Sequence, residues 1–314
     1  MFDNTHSEDS WNFMEKLYER AGIDDPLFWK VMEAWRRPSG RIGPFKYVAP
    51  KVMNASGRDD TALANGILNG FASYLSACAA WHRVDVMELT VKQVQACEGI
   101  ITLSVCGDDS LGSLPPISEL EMGEWRGRMA ENVAMFGFET KLVSSPKLYD
   151  AVYLGMRPYP TRSGWFWGKT IGRATYKLGW CLLEKDRDIL AHITGVADMH
   201  VLCSRHVPVL ADLALKIAEL REGMKRTPQE RLQDPNKPWE WTLRGQQPYD
   251  DLTIQAVADT YTVVSTPGNP QQANGVIVTP HDVRSLIQEI QKIQRIPCVV
   301  DHWLWRHMIW VDDL

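Results

Sequence analysis

Cysteine is sparse in this chain and irregularly placed: Cys78, Cys97, Cys106, Cys181, Cys203 and Cys298 include no Cys-x-x-Cys pair. Reduced thiols in a cytosolic setting are therefore expected. Long apolar runs are missing as well. No segment is expected to span a bilayer, and the polar start does not read as a signal peptide, so any membrane attachment would come through an upstream part or a partner. A strong excess of one charge is also absent, since 34 Lys and Arg against 39 Asp and Glu leave a formal net charge of −5. That balance does not announce a nucleic-acid binder, although an interior channel can be basic while the outer face stays acidic. With 314 residues, 45% hydrophobic and 23% charged, the chain reads as one large or two modest globular domains. No internal repeat or low-complexity tract is present.

Acidic residues recur as five Asp-Asp pairs. Asp24-Asp25 precedes Pro26, Asp250-Asp251 follows a Pro-containing loop, and Asp312-Asp313 lies at the C-terminal end; these read as caps, turns or a solvated tail. Asp108-Asp109 differs. Gly107 precedes it, and the strand-like run Ile100–Cys106 leads into it. A strand, a glycine that permits a tight turn and two adjacent carboxylates suit a hard divalent cation that also takes ligands from substrate phosphates. The plainer alternative is an ordinary hairpin turn.

Upstream, Ser56-Gly57-Arg58-Asp59-Asp60-Thr61-Ala62-Leu63-Ala64-Asn65 opens a strongly helical stretch. Thr61, Asn65 and Asn69 recur every four residues and form one polar stripe, while Leu63, Ile67, Leu68, Phe71 and Leu75 supply an apolar remainder. Amides on a buried helix should face a polar cavity. Alternatively, Ser56 and Asp59 form only a capping box and the Asn residues are satisfied within the core.

Together the two elements resemble motifs B and C of the RNA-dependent RNA polymerases of positive-strand RNA viruses, in which Ser-Gly-x-x-x-Thr-x-x-x-Asn precedes Gly-Asp-Asp. The resemblance extends to Met1-Phe2-Asp3-Asn4-Thr5, similar to the second half of motif A, with the first metal-binding Asp and the N-terminal fingers expected upstream of Met1. Phe136–Leu142 resembles the turn and strand of motif D, which makes Lys141 the suspected proton donor to pyrophosphate, or else a surface Lys on a strand. Tyr153–Tyr159 is similar to motif E, and the Leu202–Leu210 segment is nodavirus-like or tombusvirus-like.

The resemblance implies an α+β fold: a right-hand palm, with a small antiparallel sheet backed by helices, over residues 1–178, followed by a helical thumb over 179–314. It implies template-directed RNA synthesis by two-metal nucleotidyl transfer in a viral replication complex of the host cytoplasm. Asp108 and Asp109 would bind Mg2+ or Mn2+; Asp3, Ser56, Gly57, Thr61 and Asn65 would bind the ribonucleotide, with Asp3 and Asn65 reading its 2'-OH. Two carboxylates alone are too few to fix two cations. The chain thus looks like a fragment, or half of a divided polymerase completed by a second polypeptide that supplies fingers and motif A. Reverse transcriptase is a weaker alternative, because Cys106-Gly107 stands where an aromatic residue is expected and the Asn of motif B favours RNA synthesis. A non-catalytic subunit that binds RNA or completes a partner polymerase is the alternative of another class.

Between Ala151 and Leu183 there is no Asp or Glu, yet Arg157, Arg162, Lys169, Arg173 and Lys177 stand among Tyr153, Tyr159, Trp165, Trp167, Tyr176 and Trp180. Cations for phosphates and aromatic faces for bases suit the template and nascent strand; a Trp core with basic residues reaching outward is the alternative. His200, Cys203 and His206 are spaced for one helical face, but no fourth zinc ligand is evident and Pro208 follows, so core or surface roles are expected. Helices are predicted over 5–20, 26–37, 119–136, 182–192 and 209–222, a hairpin over 40–55, a polar loop over 226–249, and a last long helix opened by the capping box Thr279-Pro280-His281-Asp282.

Overall fold

The computed structural model describes residues 7–49, 61–178, 189–220, 249–264, 275–295 and 300–313. Among these residues the chain forms eleven α-helices and three two-stranded antiparallel sheets, an α+β architecture. It divides into two compact units, Met1–Pro146 and Lys147–Leu314. The hairpin expected at the end of the palm therefore belongs to the second unit. No helix among the described residues is long and apolar enough to cross a membrane.

The first unit begins with α1 (Glu8–Arg20) and α2 (Pro26–Arg36). Ser7 and Ser10 close a capping box on α1, while Asp25 caps α2 and Pro26 fills its first position, so the Asp24-Asp25 pair acts as a cap. Trp11, Met14 and Tyr18 of α1 and Met32 of α2 pack with Ala64 and Leu68. Arg36 ties the two helices through ion pairs to Glu8 and Glu15. A hairpin, β1 (Ser39–Ile42) and β2 (Phe45–Val48), follows, beginning one residue before the predicted range of 40–55.

The longest helix, α3 (Thr61–His82), is rich in small residues: Ala64, Ala72, Ala77, Ala79 and Ala80 are buried beside Asn65, Asn69, Ser73 and Ser76. After α4 (Val91–Ala96) come β3 (Thr102–Cys106) and β4 (Asp109–Ser113), then α5 (Glu119–Met135). Ser118 and Glu121 form the capping box of α5, and Gly137, at φ 83°, ends it in the left-handed region. Helices α3 and α5 pack around Ala72, Ala77, Cys78, Cys97, Ile101, Met129 and Val133. The helix–hairpin–helix arrangement expected around Asp108 is thus present as two strands. No third strand pairs with them among the described residues.

The second unit contains β5 (Met156–Thr161), β6 (Gly164–Lys169), α6 (Ile171–Lys177), α7 (Ile189–Cys203), α8 (Leu210–Leu220), α9 (Asp251–Tyr261), α10 (Pro280–Gln291) and α11 (Trp303–Asp313). Its single core joins Tyr159, Ile171, Val207, Leu210, Leu213, Val257, Tyr261, Leu286, Leu304 and Met308. The helical character expected after residue 178 is observed. Helix α7 runs on to Cys203, past the predicted end at His192, while residues 182–188 lie outside the described residues, as does the predicted polar loop up to residue 248. Helix α9, opened by the Asp250 and Thr253 capping box, and the terminal helix α11 were not anticipated. At the contact of α6 with α11 the backbones approach so closely that a Cβ on Gly172 would collide with the Met308 carbonyl.

Candidate active site

Strand β3 alternates by pleat: Leu103 and Val105 are half-buried, whereas Thr102, Ser104 and Cys106 face solvent. Cys106 pairs with Asp109, which leaves Gly107 and Asp108 as a two-residue turn. Gly107 sits at φ 62°, the conformation that a two-residue hairpin demands at its first position and that only glycine adopts without strain. Both Asp108 and Asp109 are exposed. No hydrogen bond or ion pair to another described residue engages either carboxylate, so their oxygens are available to a cation.

The turn is held from below by α3. Asn69 donates its side-chain N–H to the Gly107 carbonyl at 3.2 Å, and the Ser73 hydroxyl donates to the Asn69 oxygen at 2.8 Å, fixing which way the amide points. The hairpin lies within ordinary van der Waals reach of two glycines of the helix. A Cβ on Gly66 would stand 3.6 Å from the Gly107 nitrogen, and one on Gly70 3.7 Å from a Val105 methyl. Asn65, one turn before Asn69, is buried, and Thr61 is half-buried. The expected stripe of Thr61, Asn65 and Asn69 thus lies along one helix, and its third member meets the acidic hairpin. Asn69 faces a backbone carbonyl rather than an open cavity. Ser73 escaped the sequence reading, although it continues the same four-residue period. Asp3, Ser56 and Gly57 lie outside the described residues.

Lys141 is exposed but not on a strand: after the Gly137 turn, residues 138–145 run without ladder partners. Phe138 and Leu142 instead drop into the α3–α5 core as single anchors. Side-chain burial, rather than sheet pairing, organises that segment.

The basic residues of the second unit divide. Arg157, expected on a phosphate-binding surface, is buried: its guanidinium lies 3.7 Å from Asp312, donates to the Tyr149 carbonyl at 3.1 Å and faces the Tyr261 ring. Asp312, expected in a solvated tail, is enclosed with it. The Asp312 carboxylate accepts from the Gly172 N–H at 2.6 Å and the Tyr261 hydroxyl at 2.7 Å, and burial raises its pKa against these stabilising contacts. The remaining cations stay accessible. Arg162 stands exposed at the β5–β6 turn, 3.3 Å from Asp250; Lys169 is half-buried; Arg173 and Lys177 are exposed on α6. Trp165 and Trp167 project from β6 with 48% and 40% of their surface exposed, and Tyr176 is 43% exposed on α6. Two of the aromatic positions thus share a strand face with Lys169, while Tyr159 and Phe166 point to the other side, against His206.

His200 and His206 are buried and Cys203 is half-buried, in keeping with core roles. Burial lowers the His200 pKa to about 4, with Lys169 adding to the effect. No group of three or more His, Cys, Asp or Glu side chains among the described residues is arranged to hold a metal. A cleft of about 200 Å³ in the first unit is lined by Trp81, Arg83, Glu124, Trp125 and Arg128, not by the acidic turn.

No protein-family model matches the chain, and no curated protein resembles it at a significant level. The geometry of the hairpin and α3 therefore carries the functional argument.

Proposed function

We propose that this chain takes part in template-directed RNA synthesis by two-metal nucleotidyl transfer, as one part of a viral-type polymerase. The contact between Asn69 and the Gly107 carbonyl supports the reading most, because it joins the amide-bearing helix to the carboxylate-bearing turn at one locus. In this reading Asp108 and Asp109 hold Mg2+ or Mn2+ together with the triphosphate of a ribonucleotide. The donor chemistry fits: two exposed carboxylates beside substrate phosphates are the usual surroundings of a magnesium ion. They do not make a complete two-metal set, so this reading requires a further carboxylate beyond this pair. When bound, the cation supplies positive charge against the phosphate under attack.

The chain's own groups divide the remaining tasks. Asn65, with Asp3, recognises the 2'-OH, which is both donor and acceptor. Ser56, Gly57 and Thr61 position the nucleotide, and Asn69 keeps the turn at a fixed height above the helix. Lys141 protonates the departing pyrophosphate. Arg162, Lys169, Arg173 and Lys177 hold template and nascent strand through phosphates, with Trp165 and Trp167 offering stacking faces. Arg157 has no part in this, since its charge is spent on Asp312.

The deciding experiment measures ribonucleotide incorporation with the chain alone and with a polypeptide that supplies the upstream motifs, each in wild-type and Asp108→Asn form. Incorporation on complementation, reduced about 100-fold or more by Asp108→Asn, is expected. Absence of incorporation under every condition would instead favour an RNA-binding or polymerase-completing subunit. In an active complex, Asn65→Ala should relax discrimination against deoxyribonucleotides; unchanged discrimination removes Asn65 from the 2'-OH role.

A further inference from the structure

We propose that the cleft between the end of α3 and the N-terminal half of α5 is a nucleotide site separate from the acidic turn, and that it takes a guanosine 5′-phosphate group. Glu121, Glu124, Trp125 and Arg128 recur at i, i+3, i+4 and i+7 of α5, so they share one helical face and form one wall of the cleft. Trp81 and Arg83, from the end of α3, form the other. Both indoles are half-buried and pack against the α3–α5 core, which holds the rings in place. Arg83, Glu124 and Arg128 are exposed at the rim, so the cleft is open to a ligand from solvent.

Arg83 stands where a helix usually places glycine. The Val84 N–H donates to the Ala79 carbonyl at 3.0 Å and the Arg83 N–H to the Ala80 carbonyl at 3.3 Å, a Schellman closure, with Arg83 in the left-handed region at φ 58°. Glycine adopts that backbone without strain and arginine does not. The strained position sets the guanidinium at the cleft rim, 3.9 Å from the Glu124 carboxylate. The two carboxylates differ in what they can bind. The Glu121 Oε2 accepts from the Ser118 N–H at 3.0 Å and the Ser118 hydroxyl at 2.8 Å, so it is committed to the capping box. Glu124 accepts no hydrogen bond among the described residues, and its side chain is 52% exposed. Arg128 has no ion pair among the described residues, so its charge is available to an anion.

These groups select the ligand. Indole walls take a flat ring, a free guanidinium takes a phosphate, and an ionised carboxylate can only accept. Among the RNA bases, guanine alone presents a pair of adjacent N–H donors, on N1 and on the N2 amine, to one carboxylate. Adenine, cytosine and uracil each set an acceptor beside the donor, which Glu124 would repel. At about 200 Å³ the cleft is smaller than the roughly 300 Å³ of a drug-sized ligand site, so it holds one base and leaves the phosphate at the rim with Arg128 and Arg83. An extended peptide would need a longer groove. Trp81 follows Asn69 by about three turns of α3, ~18 Å along its axis, which sets this site apart from the Gly107 turn. Nothing in the cleft depends on the roles assigned to Asp108 and Asp109.

The test measures binding of GMP, AMP, CMP and UMP to the full chain by equilibrium dialysis, with a chelator present to remove the divalent cations that the acidic turn would need. GMP should bind saturably and at least about tenfold more tightly than the other mononucleotides. Glu124→Gln should lower GMP affinity about tenfold and abolish the preference, while Arg128→Ala should weaken every nucleotide and flatten the salt dependence. Both side chains are exposed, so neither change threatens the fold, and the wild-type preference decides the matter without them. Ultraviolet cross-linking of bound GMP should mark Trp81 or Trp125. A 5′-phosphorylated oligonucleotide that begins with guanosine separates the sources: binding at least about tenfold tighter than GMP assigns the site to an RNA end, and anything weaker to the free nucleotide. Absence of saturable binding by any of these ligands, equal affinity for all the mononucleotides, or cross-links confined outside residues 80–83 and 117–128 overturns the proposal. None of these readouts uses nucleotide incorporation, so failure of the polymerase reading would be seen separately.

Discussion

The two units use the same residue type to opposite ends. In the first, Asp108 and Asp109 stand in solvent on a two-stranded hairpin with no ion pair among the described residues; in the second, the Asp312 side chain is 1% exposed and meets a cation, a hydroxyl and a backbone N–H. An exposed carboxylate contributes little to folding and is free for chemistry, whereas an enclosed one is committed to its neighbours. Among the described residues the Asp312 Oδ1 and the Arg157 Nε have no hydrogen-bond partner, and the pair attracts across 3.7 Å without a direct bond. Which carboxylate is indispensable to the fold and which to a reaction can thus be separated by substitution.

The sharpest break comes at Asp312. Asp312→Ala leaves the Arg157 charge buried without its counter-charge and should destabilise the second unit by about 3–5 kcal/mol in chemical denaturation. Next, Gly172→Ala drives a methyl group into the Met308 backbone and should cost about 3 kcal/mol, with the loss of order concentrated in α6 and α11 by amide exchange. A pH dependence comes third. His200 is held neutral, its pKa lowered by burial from 6.5 to about 4, so its contribution is fully present above pH 6.5 and is lost as pH falls through that window toward 4. A thermal-stability profile of the second unit should therefore be flatter between pH 6.5 and 4 in His200→Gln, by up to roughly 3 kcal/mol at the acid end. In the first unit effects shrink. Asn69→Ala should cost about 1–2 kcal/mol and speed exchange at the Gly107 turn, and Asp109→Asn should alter stability by less than about 0.5 kcal/mol while removing divalent-cation binding, measured by calorimetry.

Local chemistry made the first unit legible. Asp25 before Pro26 and Gly107 at a turn each state their role within a few residues, because caps and two-residue hairpins are settled by neighbours. The four-residue recurrence of Thr61, Asn65 and Asn69 located one helical face, and only the contact with Gly107, 38 residues away in sequence, gave that face a direction. Asp312 could not be read the same way. Its partners Gly172 and Tyr261 lie 140 and 51 residues away, and nothing adjacent to it marks burial. Arg157 misled for the same reason: an acid-free stretch describes neighbours in sequence, while the counter-charge arrives from the last helix. The strand expected around Lys141 failed because β-structure needs a partner ladder, and Phe138 and Leu142 found a helical core first.

Gly66 and Gly70 interrupt α3, and each costs the helix about 1 kcal/mol relative to alanine. The space beside them, at 3.6 and 3.7 Å, is ordinary van der Waals contact that a methyl group can occupy. The helix therefore holds unspent rigidity directly beneath the acidic turn. A Gly66→Ala, Gly70→Ala double variant should be a sturdier scaffold beneath the turn, with slower amide exchange along α3.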